Sequence, residues 1–260
     1  MFPQNSERVQ RQKNAPIRVI IGNPPYSIGQ RSANDDAQNQ SYDVLDSRIT
    51  NTYVENSSAG LNKSAYDSYI KAFRWSSDRI KDENGGGIIG FVTNGAWLDG
   101  NSLDGFRKVL ENEFSKIYVF NLRGNQRTSG ELSRKEGGKI FGSGSRTPVS
   151  ITLLIKKPSN QKAKATIHYY DIGDYLTREQ KLAIITKFST VSKIDWKILK
   201  PNEHGDWINK RNNVFDTFIP IEPNKKFNLK SQESETYNHL ALLEEELGDF
   251  KSSLHYYKQY

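Results

Sequence analysis

Residues 17–26 read Ile17-Arg18-Val19-Ile20-Ile21-Gly22-Asn23-Pro24-Pro25-Tyr26. The first five form a short β-branched run, the composition of a buried strand. Gly22 ends it and Asn23-Pro24-Pro25-Tyr26 comes at once after it. The tetrapeptide therefore sits at a strand's carboxyl end, where open α/β sheets place their ligands.

Outward from that point the chain alternates. Residues 27–62 are rich in Ser, Asn, Asp, Gln and Gly and read as a long, partly ordered loop. Ser64-Ala65-Tyr66-Asp67 has the pattern of a capping box. Tyr66, Ile70, Phe73 and Ile80 then recur at helical spacing, with Tyr69 alongside, and predict a helix over 65–82. Gly85-Gly86-Gly87 stops it. Residues 88–93 are the next buried strand, Leu103, Phe106, Leu110 and Phe114 mark a second helix, and 117–122 a third strand. This order predicts an α/β fold built on a parallel sheet. A glycine- and arginine-rich loop spans 123–147. Two further strands, 149–155 and 165–170, are separated by Lys156-Lys157-Pro158-Ser159-Asn160 and read as an antiparallel hairpin at the sheet edge. Residues 177–188 carry a third helical pattern. Residues 191–227 are irregular, with Trp196, Trp207 and Phe215 available to pack.

The tetrapeptide carries a specific chemistry. An exocyclic amine on a base is a poor nucleophile, because its lone pair is delocalised into the ring. Two hydrogen-bond acceptors facing its N–H groups localise that pair. The Asn23 side-chain oxygen and the Pro24 carbonyl are suitable, since neither must ionise. Proline fixes its own φ and restricts the residue before it, so Pro24-Pro25 holds both acceptors rigidly. Tyr26 is placed to stack on a base flipped from its helix. The competing reading is a rigid turn after a strand.

Composition sets the limits. The 260 residues suffice for one α/β domain plus an appendage, and 35% hydrophobic against 26% charged residues is a globular balance. The chain has no cysteine, which excludes disulfides and thiolate metal sites. His168, His204, His239 and His255 show no metal-ligand spacing, so no metal is expected. The polar start lacks a signal peptide's apolar core, and no apolar run nears membrane-spanning length, which reads as cytoplasmic. A net charge of +7 favours a polyanionic partner. Arg123, Arg127, Arg134, Lys135, Lys139 and Arg146 crowd into the loop that leaves the third strand, and read as phosphate contacts or as a solvated loop. Phe141 reads as a second stacking ring or as packing.

On these residues the chain resembles S-adenosylmethionine-dependent amino-methyltransferases of the DNA N6-adenine type. The helix with Tyr66, Tyr69 and Phe73 looks like that family's next block. Gly87-Ile88-Ile89-Gly90-Phe91-Val92-Thr93-Asn94 with Trp97-Leu98, then Lys139-Ile140-Phe141 and residues 147–155, continue the match. The likeness is strongest to the methyltransferase region of type ISP (single-polypeptide type I) restriction-modification enzymes, where methyltransferase, helicase and nuclease share one chain. It covers about 15–228. It implies a Rossmann-like methyltransferase domain, DNA as partner, S-adenosylmethionine as methyl donor, and Asn23, Pro24, Pro25 and Tyr26 as catalytic residues. The same tetrapeptide serves enzymes acting on RNA bases or on a glutamine amide, and a non-catalytic nucleic-acid-binding remnant is a further alternative.

The chain departs from that family ahead of the motif. Only 22 residues precede Asn23, without Gly-x-Gly or an earlier strand–helix unit. Gly142-Ser143-Gly144-Ser145 opens no helix. The expectation is therefore a truncated chain. Residues 1–175 are the catalytic half of a methyltransferase domain, with the cofactor-binding half missing or supplied by a second chain. Residues 176–230 form an irregular linker towards a target-recognition region. Residues 231–260 form a helical hairpin broken at Gly248-Asp249, approximating one tetratricopeptide-like unit.

Overall fold

The computed structural model describes residues 3–26, 41–59, 62–141, 146–158 and 163–208. The chain divides into two units, Met1–Lys210 and Arg211–Tyr260, and every described element belongs to the first. Phe215 and the expected C-terminal hairpin lie outside the described residues.

A six-stranded mixed sheet forms the centre. Its strands are β1 (Val19–Gly22), β2 (Gly87–Asn94), β3 (Lys116–Arg123), β4 (Val149–Lys156), β5 (Thr166–Asp171) and β6 (Lys197–Leu199), in the order β1-β2-β4-β3-β5-β6. The helices are α1 (Pro3–Asn14), α2 (Asp43–Ile49), α3 (Ser68–Ser77), α4 (Asp104–Glu113), α5 (Gly130–Glu136) and α6 (Arg178–Phe188). The α/β class rests on this alternation. Among the described residues no helix is long and apolar enough to cross a membrane.

The expected edge hairpin does not form. Strand β4 lies between β2 and β3 and is antiparallel to both, while β5 pairs with β3 in parallel. The reason is in β4 itself. Val149, Ser150, Thr152 and Leu154 are buried along it, and a strand so covered takes an interior place with both edges paired. The segment after β4 therefore passes β3 before β5 begins. Strand β1 departs in the opposite sense. Its β-branched run predicts a buried strand, but it pairs only with β2, and its residues alternate between covered and open. Ile20 packs on the main core, whereas Val19 is 58% and Ile21 81% exposed.

Two segments whose composition predicts loops contain helix. In residues 41–59, α2 runs into a π-helical turn, Thr50–Val54, because Ile49 and Tyr53 are buried against the core. In residues 123–147, α5 forms. The Ser64 box does not cap the next helix either. A 3-10 turn, Lys63–Tyr66, comes first, and α3 starts after Asp67. By contrast, Thr177 and Gln180 do form a reciprocal capping box on α6. Helix α6 matches the helical pattern expected over 177–188, whereas the edge strand β6 stands in the stretch expected to be irregular.

Helices α3 and α4 cover one face of the sheet, with Phe73, Trp97 and Phe106 in mutual ring contact and Trp207 on Trp97 at 5.3 Å. Buried Arg107 ties in the last described segment. It donates to the Trp97, Gly100 and Gly205 carbonyls and pairs with Asp206 at 3.0 Å. Asp104 accepts from Ser57, Ser58 and Lys108, fixing residues 57–58 to the start of α4. Gly105 lets the two backbones meet, since a Cβ there would stand 2.0 Å from the Tyr53 carbonyl oxygen.

Gly105→Ala is therefore expected to cost ~1–3 kcal/mol, because one backbone must move from another. Urea denaturation should show a lower midpoint with an unchanged slope.

Candidate active site

Strands β1, β2, β3 and β5 run in one direction, so their carboxyl ends share an edge. Asn23–Tyr26 leaves β1 there, Asn94–Leu98 leaves β2, and the basic segment leaves β3. Asn23 and Pro25 are exposed, and Pro24 and Tyr26 are half-buried. The Tyr26 hydroxyl donates to Asn23 Oδ1 over 3.5 Å, at the outer limit of a hydrogen bond. The Asn23 oxygen thus retains accepting capacity for an incoming amine. The Tyr26 ring packs on the margin of the core and meets Tyr69 of α3 at right angles, 6.1 Å between centroids. Burial pushes the Tyr26 hydroxyl up to about 12, so the ring stays neutral at physiological pH. An exposed amide oxygen and a neutral, supported ring can orient a planar amine. They cannot themselves move a proton.

The basic residues are divided by the fold. Arg123 has a left-handed φ of 55° and turns inward, pairing with Asp171 at 2.6 Å and with Asp174. Its guanidinium is engaged by that pair of carboxylates and is not the unpaired cation expected of this loop. Arg127, Arg134, Lys135 and Arg146 are exposed and Lys139 is half-buried. Arg134 pairs with Glu131 at 2.7 Å, and Arg146 donates to the Gln126 carbonyl at 2.6 Å. Phe141 packs beside the second core cluster, which includes Ile140, Phe120 and Val149. Strand β3 is three strand spacings from β1, roughly 14 Å.

The contacts that shape this basic segment are not visible in the sequence. The stretch after β5 clamps it. Tyr175 N–H donates to the Lys135 carbonyl, Gly138 N–H to the Leu176 carbonyl, and Arg178 Nε to the Ile140 carbonyl. Lys181 is fully buried and donates to the Glu136 and Gly138 carbonyls at 2.7 and 2.9 Å. These partners lie about forty residues apart in the chain, and a lysine in a helical pattern gives no sign of burial.

The described residues form an α/β domain. Residues 2–126 match the Eco57I restriction-modification methylase family. Among solved structures it is similar to the Type ISP restriction-modification enzyme LlaGI, a nuclease-deletion mutant in complex with a DNA substrate mimic. Identity is 47% and the TM-score 0.73, over 86% of this chain and 18% of that one. The ATP-dependent Type ISP enzyme LlaBIII, bound to DNA, is 42% identical with a TM-score of 0.75, over 86% of this chain and 15% of that one. DrdV, in a DNA complex, is 32% identical with a TM-score of 0.69, over 87% and 20%. The chain thus spans a fifth or less of these relatives' length. No curated protein matches it.

Burial lowers the Lys181 ammonium to about 8. Its ordinary value is about 10.4, so between these pH values the unfolded chain holds a proton that the folded chain lacks. Stability from this residue should therefore rise with pH across that window. Chemical denaturation at a series of pH values should show wild type gaining on Lys181→Met from pH ~8 upward, and no such trend below.

Proposed function

We propose that this chain carries the amine-binding side of a DNA methyltransferase acting on N6 of adenine, within a restriction-modification protein of the cytoplasm. The observation that carries the reading is the tetrapeptide at the carboxyl edge, with an exposed Asn23 oxygen beside a supported Tyr26 ring. In this reading the target adenine leaves the duplex and stacks on Tyr26. Its N6 hydrogens are accepted by Asn23 Oδ1 and the Pro24 carbonyl, which turns the nitrogen lone pair outward. Phe141 is the candidate second ring. Arg127, Arg134, Lys135, Lys139 and Arg146 supply phosphate contacts that set register without reading sequence. DNA is favoured as the polymer because the similar solved enzymes are described with DNA.

The proposed methyl donor is S-adenosylmethionine, on the family resemblance. Among the described residues no strand-to-helix turn carries Gly-x-Gly, and the outer edge of β1 has no neighbouring strand. The role proposed for the described residues is towards the amine. The cofactor-binding half is proposed to come from further sequence of the same protein or from a second chain.

The test is methyl incorporation by the complete protein on DNA, on RNA and on a glutamine-bearing protein. DNA should be the substrate, with the label at adenine N6. Asn23→Ala should lower the rate by about 100-fold or more, the scale for loss of one preorganised hydrogen-bonding group in the transition state. Undiminished methylation by that variant would sink the assignment, and labelling of RNA or protein alone would move the substrate class.

A further inference from the structure

We infer that Tyr69 is the positioning residue for Tyr26 and sets the plane in which the target base stacks. The inference rests on the reading of Asn23–Tyr26 as the amine-binding site.

Tyr26 cannot hold its own ring still. It comes after two prolines at the point where the chain leaves the sheet, and it is only half-buried. Its hydrogen bond to Asn23 is too long, at 3.5 Å, to fix a rotamer. The ring needs an outside support, and the perpendicular contact with Tyr69 provides one in a geometry that aromatic quadrupoles favour.

Tyr69 is itself immovable. It is 1% exposed and lies in the first turn of α3, directly after Asp67, which is also 1% exposed. Lys71 in the same turn pairs with Asp46 of α2 at 2.7 Å. Arg74, one turn on, makes a two-point bond to Glu113 of α4 and pairs with Asp78. Three helices thus fix the support. A stacking surface that is rigid before the base arrives loses less freedom when it binds. A residue that only filled core volume would matter for stability and not for the orientation of a bound base.

A short single-stranded DNA with one adenine among thymines separates these roles in the full chain. Stacking over a ring moves the adenine H2 and H8 resonances upfield. Fluorescence anisotropy reports affinity, which phosphate contacts dominate. Tyr69→Leu should lose most of the upfield shift with affinity falling by no more than roughly tenfold, the scale of one lost base stack, and Tyr69→Phe, which keeps the ring, should retain it. Tyr26→Ala should abolish the shift. If Tyr26→Ala abolishes it and Tyr69→Leu leaves it intact, the positioning role is overturned while the amine-site reading stands. If the unmodified chain gives no shift, or Tyr26→Ala does not reduce it, the amine-site reading fails and this inference with it. Should Tyr69→Leu lose its cooperative melting transition, Tyr69→Met is read in its place by the same criteria.

Discussion

Strand β4 is hydrogen-bonded along both of its edges, and the arrangement of the other strands depends on that. All eight of its residues pair antiparallel with β2, from Gly87↔Lys156 to Asn94↔Val149, and seven pair with β3, from Lys116↔Ile155 to Arg123↔Val149. This one placement separates β2 from β3 while keeping their directions the same. It therefore puts the exits of β1, β2, β3 and β5 on a common edge. It also spreads them, so that the tetrapeptide and the basic segment leave the same edge three strand spacings apart.

Local pattern carried much of this into the sequence. The β-branched run before Asn23 and the helical spacing of Leu103, Phe106 and Leu110 each act over a few residues. The glycines at 85–87 do not end the helix expected over 65–82, since α3 stops at Ser77; they turn the chain into β2, where Gly86 has a φ of 69° and a Cβ would lie 2.1 Å from the Lys156 carbonyl oxygen. Strand order is another matter. Whether 149–156 forms a hairpin or slips between two earlier strands depends on which edges remain free, and no local pattern encodes that. The helical turns at 43–54 were hidden for a related reason. Only Ile49 and Tyr53 of that stretch are fully buried, so its apolar face is too sparse to show a period.

The site divides along the same line. Asn23-Pro24-Pro25-Tyr26 is legible because its geometry is made by adjacent residues. The basic cluster is legible as charge but not as structure. Arg123 meets Asp171 across 48 positions, and Lys181 reaches the Glu136 carbonyl across 45. Such pairings come from the sheet and turn a glycine-rich stretch into a shaped ridge. A cation whose partner lies on another strand cannot be told, in a sequence, from one that faces water.

The outer edge of β1 has a colloidal consequence. Among the described residues no strand pairs with it, and Val19 and Ile21 are exposed beside Ile17 and Ile88, which are 41% and 40% exposed. Any strand, including one from another copy, finds hydrogen-bond partners there and apolar surface to cover. Pro16 and Pro24 bracket this template and give no backbone N–H. The open ladder is thereby held to the four residues of β1, a length too short for an added strand to be stable by backbone pairing alone.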